Sequence, residues 1–147
     1  MTCRFTSKTK REKETDNMNI TGLSCIFPCA DIQKTAEFYV SCLGFRAAEY
    51  LSSEEPHICL YRDATEIILL KADTERIIPN RQLYGYGYDA YLYTDAQEEL
   101  EKEFLSKGVK VVRPLHLTDY QNREFVIEDI DGRWLAFGLK QVSKTIE

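Results

Sequence analysis

The feature that most constrains this chain is an internal repeat. Gly44 lies 13 positions after Asp31, and Gly108 lies 13 after Asp95. In each stretch an aspartate that can cap a helix is followed by apolar residues at helical spacing, and a glycine then stops the helix. Ser24 lies seven residues before Asp31, and Tyr88 lies seven before Asp95. Each unit reads as strand, helix, strand and hairpin, and the hairpin turns at 63–66 and 131–134 also correspond. Cap, stop and hairpin recurring in the same order favour a true duplication.

The element pattern supports this. Residues 23–30, 45–51, 57–62 and 66–72 read as strands of the first unit. Residues 88–94, 109–115, 123–128 and 133–140 read as strands of the second. Ile32, Ala36, Tyr39, Val40 and Leu43 form the apolar face of the first helix; Leu100, Phe104 and Leu105 form that of the second. Residues 74–87 read as a linker containing Pro79, Gly85 and Gly87. The run from Tyr84 to Tyr88, alternating tyrosine and glycine, is expected to cover one end of a sheet, with a cleft mouth or a dimer contact as alternatives. Residues 1–17 read as a disordered or extended tail, and one domain is expected over 18–142.

Composition narrows the partners. The 147 residues carry a net charge of −5, and the first 17 hold a surplus of two positive charges, so the remainder is about −7. An acidic body argues against nucleic acid as a partner and suits a cationic ligand. No apolar run is long enough to span a membrane, and the charged N-terminus does not resemble a secretory signal, so a cytoplasmic location is expected. Five cysteines, an odd number, read as free thiols, with Cys25 and Cys29 on one strand face.

The motifs resemble the vicinal-oxygen-chelate superfamily, the group of glyoxalases, bleomycin-resistance proteins and extradiol dioxygenases. Residues 31–45 (DIQKTAEFYVSCLGF) match its D-x-x-x-s-x-x-F-Y-x-x-x-L-G-F helix. Residues 125–135 (FVIEDIDGRWL) match its closing F-x-x-x-D-P-D-G-N hairpin, with Ile130 where proline is usual. The resemblance covers roughly residues 20–140. It implies an α+β fold of two βαβββ modules, about 20–73 and 86–140, forming a curved mixed sheet around a cleft with helices on the outer face. It also implies a homodimer.

In the enzymes of that family four strand positions hold a divalent metal through His, Glu or Gln. Two lie seven residues before the capping aspartates, here Ser24 and Tyr88. Two lie five residues beyond the first turn aspartate of each hairpin, here Ile68 and Ala136. Isoleucine and alanine have no donor, and neutral serine and tyrosine are poor ligands. A two-residue slip would present Glu66 and Trp134 instead, and one carboxylate cannot hold a catalytic ion. The expectation is therefore no metal and no other cofactor.

The same faces then become a ligand-binding wall: Ser24, Glu66, Ile68, Tyr88, Trp134 and Ala136. Strand alternation adds Ile26, Leu70, Ala90, Leu92 and Gly138. Trp134 reads as a stacking platform or as core packing. Glu66 reads as an attractor of positive charge or as a surface partner of Arg62, Lys71 or Arg133. The leading expectation is a binding protein rather than an enzyme, resembling metal-free bleomycin-resistance proteins, that sequesters a flat ligand with a positive charge as one option. The alternative is a metal-dependent lyase, isomerase or dioxygenase using Glu66, His57 or His116. An interaction module whose cleft is filled by its own side chains is a third.

Overall fold

The computed structural model describes residues 18–139, so the tail expected at 1–17, the residues from 140 onward and Cys3 lie outside the described part. The first module comprises β1 (Cys25–Cys29), α1 (Ile32–Leu43), β2 (Arg46–Tyr50), β3 (His57–Arg62) and β4 (Thr65–Lys71). A short helix, α2 (Asn80–Tyr84), lies in the stretch read as linker. The second module comprises β5 (Ala90–Tyr93), α3 (Gln97–Ser106), β6 (Lys110–Leu117), β7 (Arg123–Glu128) and β8 (Trp134–Leu139). Each module makes a four-stranded mixed sheet, ordered β1-β4-β3-β2 and β5-β8-β7-β6, with β1–β4 and β5–β8 parallel. The α+β duplication expected from the repeat is what forms.

Helix α1 begins where Asp31 accepts a hydrogen bond from the Lys34 N–H at 3.1 Å. It ends where Gly44 takes φ 77° and the Phe45 N–H returns to the Tyr39 carbonyl at 3.0 Å. Its face of Ile32, Ala36, Tyr39 and Leu43 is buried against β1, β3 and β4. In the second module Phe104 of α3 packs edge-on to Phe137 at 5.2 Å, and Phe137 stacks on Phe125 at 5.3 Å. Both sets join one core cluster that includes Phe27, Leu69, Ile127 and Leu135. Complete burial of each such side chain stabilises the fold by about 1.5–3 kcal/mol.

The modules hold each other by reciprocal contacts. From the turn of the first hairpin, Arg62 donates to Glu103 of α3 at 2.9 Å and to the Leu43 carbonyl at 2.7 Å. From the turn of the second hairpin, Asp131 accepts from the Thr35 hydroxyl of α1 at 2.7 Å. Arg133, almost completely buried, pairs with Asp129 and Asp131 at 3.0 Å each and donates to the Pro28 carbonyl. Cys25 and Cys29 both lie on the core side of β1, and the four described cysteines are free thiols. Among the described residues no helix is long and apolar enough to cross a membrane.

Candidate functional site

The site begins with which strand faces turn away from the core. In the first module Phe27, Ile67 and Leu69 face the core, which leaves Ser24, Ile26, Glu66, Ile68 and Leu70 on the opposite face. The Cα partners Ile26 and Ile68 lie side by side, and the Ser24 hydroxyl donates to the Glu66 carboxylate. No cation lies within salt-bridge distance of Glu66 among the described residues, so the expected pairing with Arg62, Lys71 or Arg133 is not made. Arg62 and Arg133 are committed to Glu103 and to Asp129 and Asp131 instead.

In the second module Trp134, Ala136 and Gly138 share the face away from the core, as alternation requires. Ala90 and Leu92 do not join them. Both pack on the core side, and it is Tyr91 that pairs with Ala136. The correction has a local cause. The N-cap position of α3 is Ala96 rather than Asp95, with the Thr94 hydroxyl accepting from the Ala96 N–H at 2.9 Å. Counting back from the wrong cap moves the strand by one residue, and one residue exchanges the two faces. The position matching Ser24 is thus Asp89, which precedes Ala90 as Ser24 precedes Cys25.

Tyr88 stands just outside β5, yet its hydroxyl reaches the same face. It donates to Glu124 at 3.1 Å, as does Tyr91 at 2.8 Å, and Tyr120 lies 3.2 Å from each oxygen of that carboxylate. Glu124 is completely buried beneath them. Gly138 makes room for this arrangement, since a Cβ there would sit 2.6 Å from the Tyr91 hydroxyl and 2.7 Å from the Glu124 Cβ. Burial, reinforced by the Glu124 charge, pushes the Tyr88 phenol up to about 12 and Tyr91 higher still. Both stay protonated donors at neutral pH.

Trp134 is half-buried and outside the core cluster. Its indole N–H donates to Glu128 at 3.0 Å, and Arg81 donates to the same oxygen at 3.1 Å. Burial opposes ionisation of Glu128, but those two donors, with Lys110 at 3.4 Å, outweigh it and hold the carboxyl below its usual range. The Arg81 guanidinium lies 4.2 Å from the centroid of the Trp134 ring and that of Arg113 lies 5.2 Å away. Arg113 also donates to the Tyr88 hydroxyl at 2.9 Å. Beside these groups opens a pocket of about 540 Å³, walled by Arg81, Tyr86, Tyr88, Arg113, Tyr120 and Trp134. Gly85 and Gly87, at φ 95° and 104°, let the chain turn sharply around Tyr86. The tyrosine–glycine run therefore lines the pocket instead of merely covering a sheet end.

Of the six residues read from the sequence, Tyr88 and Trp134 come together at this pocket. Ser24, Glu66 and Ile68 form a separate patch on the first module. Ala136 is completely buried between Tyr91 and Val126 in the second sheet. Sequence reasoning missed Arg81, Tyr91, Arg113, Tyr120 and Glu124. Alternation in β7, with Phe125 and Ile127 facing the core, could have placed Glu124 and Glu128 on the opposite face. Nothing local announces Arg81, which arrives from the segment between modules.

The residues present do not fit a divalent ion. Ser24 is bonded to Glu66, Ile68 and Ala136 have no donor atoms, and Tyr88 remains protonated. Asp89, the true counterpart of Ser24, uses its two oxygens to accept the N–H groups of Asn80 at 3.1 Å and Trp134 at 3.2 Å. His57 and His116 each direct Nδ1 to a nearby backbone carbonyl at 2.8 Å. Among the described residues no three His, Cys, Asp or Glu side chains gather where they could hold a metal.

The sequence model of the Glyoxalase/Bleomycin resistance protein/Dioxygenase superfamily matches residues 23–137. Similar solved structures include a member of that superfamily from Sphaerobacter thermophilus DSM 20745, at 20% identity and TM-score 0.66, covering 84% of this chain and 100% of the other. Another is the bleomycin-binding protein of Streptomyces verticillus in complex with copper(II)-bleomycin, at 14% identity and TM-score 0.65, covering 85% and 100%. A third is a genomically encoded fosfomycin resistance protein from Listeria monocytogenes, at 17% identity and TM-score 0.60, covering 84% and 94%. At these identities the likeness is one of fold. A search of curated proteins returns no match.

Proposed function

The chain belongs to the Glyoxalase/Bleomycin resistance protein/Dioxygenase superfamily, and from that premise we propose that it is a metal-independent small-molecule-binding protein that holds a flat ligand against Trp134. The observation that carries this reading is the open pocket of about 540 Å³ beside a half-buried indole and three tyrosines. Its volume lies within the usual range for small-molecule sites, and aromatic walls with a few fixed polar groups are what such sites present. An interaction module with a self-filled cleft is less well supported, because this space stays open.

In this proposal Tyr88 and Trp134 touch the ligand and Ala136 belongs to the sheet beneath it. Ser24, Glu66 and Ile68 offer a second patch. Glu66 is bonded to Ser24 and does not line this pocket, so the charge preference has to be read from the pocket's own wall. A homodimer is also part of the proposal. Ile26, on the outward face of the first module, is 58% exposed and suits a contact between copies. Sedimentation would report the state of association.

Trp134 is the single tryptophan, which makes the test direct. Titration with flat aromatic compounds, bleomycin among them, should give saturable quenching of its fluorescence, and the purified protein should contain no stoichiometric metal. Absence of any response across such a panel, or one equivalent of tightly bound zinc, nickel, iron or manganese, would overturn the proposal.

A further inference from the structure

The sequence is acidic, yet the pocket wall is not. Its two formally charged residues are arginines, Arg81 and Arg113. The two carboxylates bonded to wall side chains are already engaged. Glu124 is completely buried with Tyr88, Tyr91 and Tyr120, and Glu128 accepts from Arg81, Trp134 and Lys110. We infer that the ligand of this pocket carries an anionic group, a carboxylate or a comparable oxyanion, on its flat body, and that Arg113 holds that group. The inference rests on the binding reading above and specifies the ligand's charge.

Arg113 is suited to the role in three ways. It is exposed, and no carboxylate lies within salt-bridge distance of it among the described residues, so its charge is not neutralised within the fold. Its position is set by an ordered chain of donors. The Tyr88 hydroxyl donates a hydrogen bond to buried Glu124, which leaves the phenol oxygen to accept from Arg113. One nitrogen of the planar guanidinium is thereby fixed, and its remaining N–H groups are left to meet an oxyanion in two-point fashion. Finally, the guanidinium lies 5.2 Å from the centroid of the Trp134 ring, so a ring stacked on the indole would bring a substituent within its reach.

Arg81 adds an independent sign. Its Nε is buried with no hydrogen-bond partner, a donor that the fold leaves unmet. Its Nη2 is committed to Glu128, so Arg81 steadies Trp134 and contributes field to the wall, while Arg113 makes the contact.

The test uses three probes of one shape on the full chain: 2-naphthoate, 2-naphthamide and 2-naphthylmethylammonium, each titrated by calorimetry. The acid should bind at least about tenfold more tightly than the amide, a factor worth about 1.4 kcal/mol, and the ammonium most weakly. Arg113→Met should abolish the gap between acid and amide, and Arg113→Lys should restore part of it. Equal binding of acid and amide, tightest binding of the ammonium, or a gap that survives Arg113→Met would overturn the anion inference and leave the aromatic pocket standing. Failure of all three probes to bind would overturn the binding reading as well.

Discussion

The Tyr39 hydroxyl donates to the Asp129 carboxylate across 2.6 Å, joining the helix of one module to the last hairpin of the other with both side chains buried. Asp129 also accepts from the Asp131 N–H at 2.8 Å, the Arg133 N–H at 2.9 Å and the Arg133 guanidinium at 3.0 Å. Tyr39→Phe removes one of four donors and should cost about 1–2 kcal/mol. Asp129→Ala leaves Arg133 buried with only Asp131 as a charge partner and should cost about 3–5 kcal/mol. Urea unfolding followed by Trp134 fluorescence measures both. A loss for Asp129→Ala no larger than that for Tyr39→Phe would contradict this account of the module interface.

Gly138→Ala tests whether the buried carboxylate needs the missing side chain. The new methyl would lie 2.6 Å from the Tyr91 hydroxyl and 2.8 Å from the Arg123 carbonyl, the latter fixed in the sheet. Overpacking of this kind is expected to destabilise by about 1–3 kcal/mol and to disturb the tyrosine cluster around Glu124. Gly22→Ala, where nothing lies within 4 Å, is the control and should be close to neutral.

The Arg62–Glu103 pair has a defined pH signature. The hydrogen bond from Arg62 comes first among the influences on Glu103 and, with the charges of Arg62 and Lys107, outweighs partial burial, holding its carboxyl below the usual range. A lowered folded-state pKa contributes stability above the unfolded value of about 4.3, and that contribution is lost as pH falls through the folded value. Because the pair is partly exposed, Glu103→Gln should lower stability at pH 7 by no more than about 1 kcal/mol. The difference in melting temperature should shrink in acid and vanish once the pH lies below the folded-state value. A difference that persists there would show that the carboxylate charge is not its origin.

The Tyr88 phenol, raised by burial first and then by Glu124, should ionise only near pH 12. The ultraviolet difference spectrum between the parent protein and Tyr88→Phe should therefore stay flat through pH 10. Ligand affinity should likewise show no step from Tyr88 between pH 7 and 10. A step near pH 10 in the difference spectrum would place Tyr88 in open solvent, away from Glu124.

Much of the architecture is legible locally. Asp31 and Gly44 bracket α1 as their chemistry demands, and the β3, β4, β7 and β8 strands lie within a residue or so of where alternation puts them. The β5 strand illustrates the limit. The start of α3 is ambiguous by one residue because Thr94, not Asp95, supplies the local side-chain acceptor. In a helix a one-residue error rotates the pattern modestly, but in a strand it turns every side chain to the other face. Tyr91 therefore faces the cleft side, and Ala90 and Leu92 face the core, the reverse of the order expected from counting back from Asp95.

The amino-acid order alone determined the duplicated βαβββ plan and the absence of any donor side chain at Ile68 and Ala136, because caps, stops, periodicity and side-chain inventory are properties of short segments. Only tertiary structure decided the pocket's charge. Arg81 arrives from the helix between modules, Arg113 from β6 and Trp134 from β8, while Glu124 is sealed behind phenols from two separate segments, the start of β5 and the turn before β7. The field at a site depends on which charges are exposed and which are buried together. That is set by contacts between residues far apart in the chain, and no sum over composition contains it.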